Sequence, residues 1–382
     1  MSFDGADNGF LETVRQRVIG EGQTVTGARV AEAIRASGRL LGTSGMLAAT
    51  ERIRAELTGL GPLDPLVNEP GLTDIYVNAP QEVWWQRGNG LERVPVTFDD
   101  EEQVRALAVR LVAAAGKRLD ESTPCLDVRL PGGIRVHAVL PPLSAGGTVL
   151  SFRLRRPRPF SLEELQDLGS IDARMRTLLR ELMASRLNVL ITGSTGSGKT
   201  SLLATLLGLC PARERLVLVE DTAELNPDHP HVLGLESRAA NVEGQGGIGL
   251  DRLVHEALRM NPDRLLVGEC RGAEIRELFT ALNTGHAGGG TLHANSAQDV
   301  PARLQALGAL AGMTTAATNL QAASALDVVI HCERHGGVRR VSQIGLLAMR
   351  EGELLVHIAA SCVASGTVEG PAWAELQHRM QP

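Results

Sequence analysis

Hydrophobic residues fall along this chain in three successive rhythms. Over residues 1–60 they recur at helical spacing in FLETVRQRVIG, ARVAEAIRASGRLL and MLAATERIRAELTGL, with glycines between, which predicts a helical N-terminal extension. From GPLDPLVNEPGLTDIYVNAPQEVWWQRGNGLERVPVTF the rhythm changes. Turn signals at Gly61-Pro62, Glu69-Pro70-Gly71 and Gly88-Asn89-Gly90 separate short runs rich in Val, Ile, Tyr and Trp, the pattern of strands. Asp99 and Glu102 have the spacing of a capping box, and Val104, Leu107, Ala108, Leu111 and Val112 follow at helical intervals. A small α+β domain is therefore expected over residues 61–155. In VLSFRLRRPRPFSLEEL a basic strand runs into two prolines and a second capping box, Ser161 with Glu164, which marks residues 156–160 as a linker.

Beyond the linker the third rhythm begins. Helical ARMRTLLRELMAS alternates with the short apolar runs LNVLIT, RLVLVE, RLLVGE and DVVIHC. Apolar runs of strand length between helical stretches predict an α/β domain with a mainly parallel sheet covered by helices, over residues 161–345. Residues 346–382 are read as a C-terminal tail.

Composition narrows this picture. At 382 residues and 43% hydrophobic content the chain can bury more than one core. No apolar run approaches the roughly 18 residues of a membrane span, and a cytoplasmic protein is expected. Five cysteines, Cys125, Cys210, Cys270, Cys332 and Cys362, show no CxxC spacing, so they read as reduced core thiols rather than zinc ligands or disulfides. A net charge of -6 and 3% aromatic residues argue against a surface dedicated to nucleic acid.

Candidate chemistry starts at GSTGSGKT, which fits GxxxxGK[ST] between an apolar strand and the apolar helix SLLATLLGL. Gly193, Ser194, Thr195, Gly196, Ser197, Gly198, Lys199, Thr200 and Ser201 are its phosphate-binding residues. The glycines let backbone N–H groups turn inward around phosphates, and the helix start adds its positive end. Lys199 is one of only two lysines in the chain, beside Lys117. A compact ammonium on a flexible stem suits the β- and γ-phosphates of ATP, and Thr200 is placed to ligate Mg²⁺. Glu269 in RLLVGECRGAE and Glu220 in RLVLVEDTAEL each end an apolar strand, where open α/β sheets gather their ligands. One would polarise water and the other would hold the hydrated metal. In TGHAGGGTLHAN, His286 and His293 flank a glycine run read as a flexible loop, and are candidates to sense the γ-phosphate or relay a proton.

These blocks in this order resemble the secretion and pilus-assembly traffic ATPases, in particular the Flp/Tad pilus (CpaF-like) branch that in actinobacteria is often labelled conjugal-transfer-associated. The resemblance covers residues 55–345 and rests on GLGPLDPLVNEPGLTDIYVN, GIRVHAVLPP, GSTGSGKTSLLATLL, VEDTAEL, ALRMNPDRLLVGECRGAE and GHAGGGTLHANSAQDVPARL. It implies a RecA-like P-loop ATPase domain joined by a linker to a smaller PAS-like domain, assembled as a hexamer with nucleotide between the two domains. It also implies Glu269 as general base, Glu220 as an acidic residue near the γ-phosphate, and His286 and His293 as the His box. Arg135 in GIRVHAVLPP and Arg153 in SFRLRR occupy motifs whose arginines contact phosphates, with Arg155 and Arg156 as weaker candidates. Two positions depart from the family pattern: the His box is one residue shorter between its histidines, and Asn261 stands where arginine is expected. The implied function is Mg²⁺-dependent ATP hydrolysis that drives inner-membrane platform proteins from the cytoplasmic face, powering pilus assembly or secretion. A nucleotide-gated assembly module and a conjugation-type DNA motor are the alternatives.

Overall fold

A computed structural model describes residues 27–37, 43–88, 90–154, 158–238 and 245–381. The chain divides into two compact units, one ending at Pro157 and one spanning Arg158–Pro382. FLETVRQRVIG, Arg155 and Arg156 lie outside the described residues.

In the first unit, α1 (Gly27–Ala36) and α2 (Thr43–Thr58) pack on each other through Val30, Ile34 and Ile53. Six strands follow: β1 (Leu72–Ala79), β2 (Glu82–Arg87), β3 (Gly90–Arg93), β4 (Cys125–Arg129), β5 (Arg135–Val139) and β6 (Val149–Arg153). They pair antiparallel in the order β3-β2-β1-β6-β5-β4. Strict alternation gives the sheet two unlike faces. Ile75, Val77, Val136, Ala138, Leu150 and Phe152 join a core with Val104, Leu107 and Leu111 of α3 (Glu101–Ala114). The cap of α3 sits one residue later than its sequence suggests: the Asp100 carboxylate accepts from Gln103 N, and the Gln103 side chain accepts from Asp99 N. A glutamine three positions on serves as well as the expected glutamate, which is why two adjacent aspartates made the register ambiguous.

The second unit is a nine-stranded sheet. Its parallel part comprises β7 (Val189–Gly193), β8 (Leu216–Glu220), β9 (Val232–Glu236), β10 (Arg264–Cys270), β11 (Ala287–His293) and β12 (Val328–His335), in the order β12-β7-β11-β10-β8-β9. Both faces are covered. Helices α4 (Leu162–Asp167), α5 (Ala173–Ala184) and α6 (Lys199–Leu207) bury one, and α7 (Leu250–Leu258), α8 (Glu274–Asn283), α9 (Val300–Leu310) and α10 (Thr315–Ala325) bury the other. The Ser161–Glu164 capping box that opens α4 is present with both of its hydrogen bonds.

Three sequence expectations change here. Residues 346–382 are not a tail: β13 (Val338–Arg350), β14 (Glu353–Val363) and β15 (Gly366–Glu369) extend the same sheet antiparallel from β12, and α11 (Trp373–Met380) packs back onto its core. The β-branched residues Val356 and Ile358, two positions apart in LLVHIAASCV, carry the strand signal that the tail reading passed over. The run AGGG is not a flexible loop but most of the buried central strand β11. A Cβ on Gly288 would lie 2.0 Å from the Leu265 carbonyl oxygen, and one on Gly289 1.9 Å from that of Val189, so only glycine lets these strands close in. Of the cysteines, Cys210, Cys270 and Cys332 are buried, but Cys125 is exposed. Among the described residues, no helix is long and apolar enough to cross a membrane.

Candidate functional site

Parallel strands β7, β10 and β11 all end on one edge of the sheet, and the phosphate loop springs from the first of them. Gly193 closes β7 with φ at 148°, where a Cβ would meet the Cys332 carbonyl oxygen at 2.2 Å and Ser197 Oγ at 2.6 Å. Gly198, at φ 98°, caps α6 without a side chain. The loop is thus curled too tightly for side chains at these two places. Ser197 Oγ is buried inside the curl with no hydrogen-bond partner. Such a hydroxyl beside a helix start belongs to the donor set expected around a phosphate.

Lys199 is buried, and its Nζ donates to the carbonyls of Gly193 and Ser194, both at 3.0 Å. Burial pushes this ammonium below its usual value, and the Glu269 carboxylate opposes the shift. The third neighbour of Nζ is His293 Nδ1 at 3.3 Å. His293 ends β11 directly beside Gly193, its register partner on β7. On its far side Nε2 lies 2.5 Å from Glu269 Oε1, out of line for a hydrogen bond. Arg271 pairs with the other oxygen of Glu269. Burial first, then the Lys199 charge, holds the His293 imidazole below its ordinary value. A neutral imidazole in this place can receive the ammonium on Nδ1.

Glu220 ends β8 and is buried, but Oε1 accepts from Glu224 N and Leu225 N, both at 2.9 Å. It braces its own turn and packs against Gly268, where a Cβ would stand 2.6 Å from its Cγ. His286 is a correction. It precedes β11 while His293 ends it, so the two stand about 20 Å apart, the length of a seven-residue strand, at opposite edges of the sheet. His286 Nδ1 lies 3.3 Å from the Ala281 carbonyl oxygen at the end of α8. The glycine run between the histidines is a strand, not a loop, and cannot fold them together.

Arg135 and Arg153 belong to the first unit, where they are direct cross-strand partners on the face of the sheet away from α3. Arg153 Nε lies 3.4 Å from Asp74 Oδ1 and Arg135 Nε 3.2 Å from Asp127 Oδ1. Arg129 is the register partner of Arg135, which adds a third arginine to the row.

Sequence reasoning passed over three residues of the second unit. Arg271 follows Glu269 by two positions, just past the end of β10. His331 interrupts the apolar run DVVIHC, which was a signal. It is buried, its Nδ1 lies 2.9 Å from Thr192 Oγ1, and burial holds its imidazole below the ordinary value. Arg339 donates through Nε to the Gly196 carbonyl at 2.8 Å, and nothing local in VRRV announces it.

For Mg²⁺, the described residues contain no cluster of three His, Cys, Asp or Glu side chains. Thr200, at the start of α6, and the carboxylates of Glu269 and Glu220 are the residues available to it.

The model of the type II/IV secretion system protein family matches residues 56–357. A Mycobacterium tuberculosis protein provisionally named for conjugal transfer is 48% identical over 323 residues, 82% of this chain and 92% of that one. The type IV secretion system protein PtlH of Bordetella pertussis is 34% identical over 273 residues, 64% of this chain and 79% of that one. Among solved structures, the pilus retraction motor PilT with bound ADP matches 82% of this chain and 86% of its own, with a TM-score of 0.53 and 17% identity, a likeness of fold. The fold is thus the expected one, an α/β RecA-like domain preceded by a smaller α+β domain.

Proposed function

The chain belongs to the type II/IV secretion system protein family, and from that premise we propose that it is an Mg²⁺-dependent ATPase that works as a hexameric motor. It would act at the cytoplasmic face of the plasma membrane on inner-membrane platform proteins, driving Tad/Flp-type pilus assembly or related secretion. One observation carries this reading: Lys199, His293 and Glu269 converge where three neighbouring parallel strands end beside a loop shaped for phosphates.

Each residue then has a task. The loop amides and Lys199 hold the β- and γ-phosphates, with the ammonium exchanging its carbonyl partners for phosphate oxygens. Mg²⁺, when bound through Thr200 and phosphate oxygens, offsets their negative charge. Glu269 orients a water and takes its proton as the water oxygen attacks the γ-phosphorus and the bond to the β-phosphate oxygen breaks. His293 lies between the ammonium and that carboxylate and can take up the proton or hold Glu269 in place. Glu220 supports the turn after β8 and, through water, the metal. Arg135 and Arg153 are proposed to stabilise charge on the phosphates. His286 has no role in this scheme.

Hydrolysis by the purified full chain, compared with Glu269→Gln, tests the reading. Turnover in the wild type with at least a hundredfold loss in the variant supports it, whereas equal rates refute it. A second reading rests on the position of Glu269, already engaged by Arg271 and crowded by His293: a nucleotide-gated module with little turnover. Binding of Mg-ATP without hydrolysis would favour that one. The name of the mycobacterial relative raises DNA as cargo. Salt-dependent DNA binding at physiological ionic strength would support such a role, against the net charge of -6.

A further inference from the structure

The phosphate loop has a second cation beside it that comes from far along the chain. Strand β12 runs parallel to β7 and continues past its end, so the hairpin it makes with β13 stands next to the loop. Two contacts fasten Arg339 of this hairpin to the loop. Its Nε donates to the Gly196 carbonyl at 2.8 Å, and its Cδ lies 3.5 Å from where a Cβ on Gly198 would stand. A loop that turns its amides inward must turn carbonyls outward. Arg339 takes one of these and covers the glycine at the start of α6. Among the described residues, no carboxylate lies within ion-pair distance of Arg339. Its register partner across the hairpin is another arginine, Arg334.

A guanidinium has five N–H donors in a planar fork, and one bond through Nε leaves its other edge to donate. That edge belongs to a charge fixed beside an anion-binding curl. The curl itself holds Ser197, 2% exposed, whose Oγ has no hydrogen-bond partner and sits 2.6 Å from where a Gly193 Cβ would be. A buried hydroxyl and a cation that no described carboxylate pairs, on two sides of one loop, both call for ligand oxygens.

We propose that Arg339 is a second cation of the triphosphate site: Nε braces the phosphate loop from outside while the rest of the guanidinium donates to the nucleotide's phosphate oxygens. This rests on the reading of the loop given above. It makes the C-terminal hairpin, not only the loop and Lys199, part of the nucleotide site, and it gives the second unit a phosphate-binding arginine of its own.

The test is calorimetric titration of the full chain with a nonhydrolysable ATP analogue and Mg²⁺, at low and physiological salt, for wild type, Arg339→Gln, Arg339→Lys and Lys199→Ala. Loss of one charge-assisted contact should weaken binding about tenfold in Arg339→Gln and flatten its salt dependence, while Arg339→Lys keeps the charge and stays within about threefold of wild type. Adenosine, which has no phosphate, should bind wild type and Arg339→Gln equally. Arg339→Gln binding the analogue as wild type does, while Lys199→Ala has lost it, would overturn this inference and leave the site reading standing. Arg339→Lys as weak as Arg339→Gln would overturn the charge role. A wild-type chain that takes up no analogue would instead bring down the site reading, and this inference with it.

Discussion

Lys199 is held by two carbonyls of its own loop and by an imidazole, so its replacement should act on nucleotide more than on folding. Lys199→Ala is expected to weaken Mg-ATP binding at least tenfold with an unchanged melting temperature, read by calorimetry and thermal unfolding. Lys199→Arg should not restore affinity, because a planar fork does not fit where one compact ammonium meets two carbonyls. The neighbouring His293 gives a pH signature. Its folded-state value lies below the ordinary imidazole value of about 6.5. The unfolded chain therefore binds more protons in the interval between the two values. His293's contribution is intact above pH ~6.5 and is lost as pH falls through that interval, where a second cation would appear beside Lys199. Denaturant unfolding from pH 7.5 to 5 should show a shallower acid loss in His293→Gln than in wild type. An equal slope would mean that His293 titrates as freely in the fold as in water.

At the scale of elements, the strands are held from below as well as from above. Arg264 opens β10 and is buried against Glu214, just before β8, with Nε 2.6 Å from Oε2, and its Nη2 donates to the Met183 carbonyl at the end of α5. Glu214→Ala strands a buried guanidinium and should cost about 3–5 kcal/mol in unfolding free energy, whereas the double variant Glu214→Leu/Arg264→Leu should recover most of it. Recovery would show that the pair fixes strand ends without being a net source of stability. Gly289→Ala asks more, since a Cβ there would sit 1.9 Å from a carbonyl oxygen of β7. Soluble, cooperatively unfolding Gly289→Ala protein would show that β7 and β11 can move apart. This strand also shows where sequence reading stops. LNVLIT, RLVLVE, RLLVGE and DVVIHC were legible as strands because a buried parallel strand is a short apolar run. AGGG was not, because glycine's signal in a sequence is freedom, and here it meets the opposite need, close approach. The loop GSTGSGKT and the strand-end carboxylate Glu269 could be picked out from local pattern, whereas His293 stands beside them because it ends β11, a strand that the sequence reading took for a loop. The separation of His286 from His293, the inward turn of Glu220 and the approach of Arg339 all depend on which strands become neighbours, which no local pattern records.

For the whole molecule, the proposed reaction assigns residues to both the α+β unit and the RecA-like unit. Each unit has its own hydrophobic core, so each can respond to a surface change without unfolding the other. The face of the first unit's sheet away from α3 bears Arg129, Arg135 and Arg153 in one cross-strand row, with Asp127 beside Arg135 and Asp74 beside Arg153. Ion pairs on a partly exposed sheet face contribute little to stability, so removal of Arg135 or Arg153 is a clean probe of function. Arg153→Ala should leave both melting behaviour and Mg-ATP affinity near wild type while lowering kcat about tenfold or more, because a guanidinium that meets charge developing on the phosphates acts in the transition state. Arg135→Ala should do the same. The double variant should cost less than the product of the two single losses if the pair acts as a unit, which its shared register predicts. Steady-state kinetics with calorimetry separates the outcomes. A rise in KM at constant kcat would make these arginines binding residues, and unchanged kinetics in both variants would confine the chemistry to the second unit.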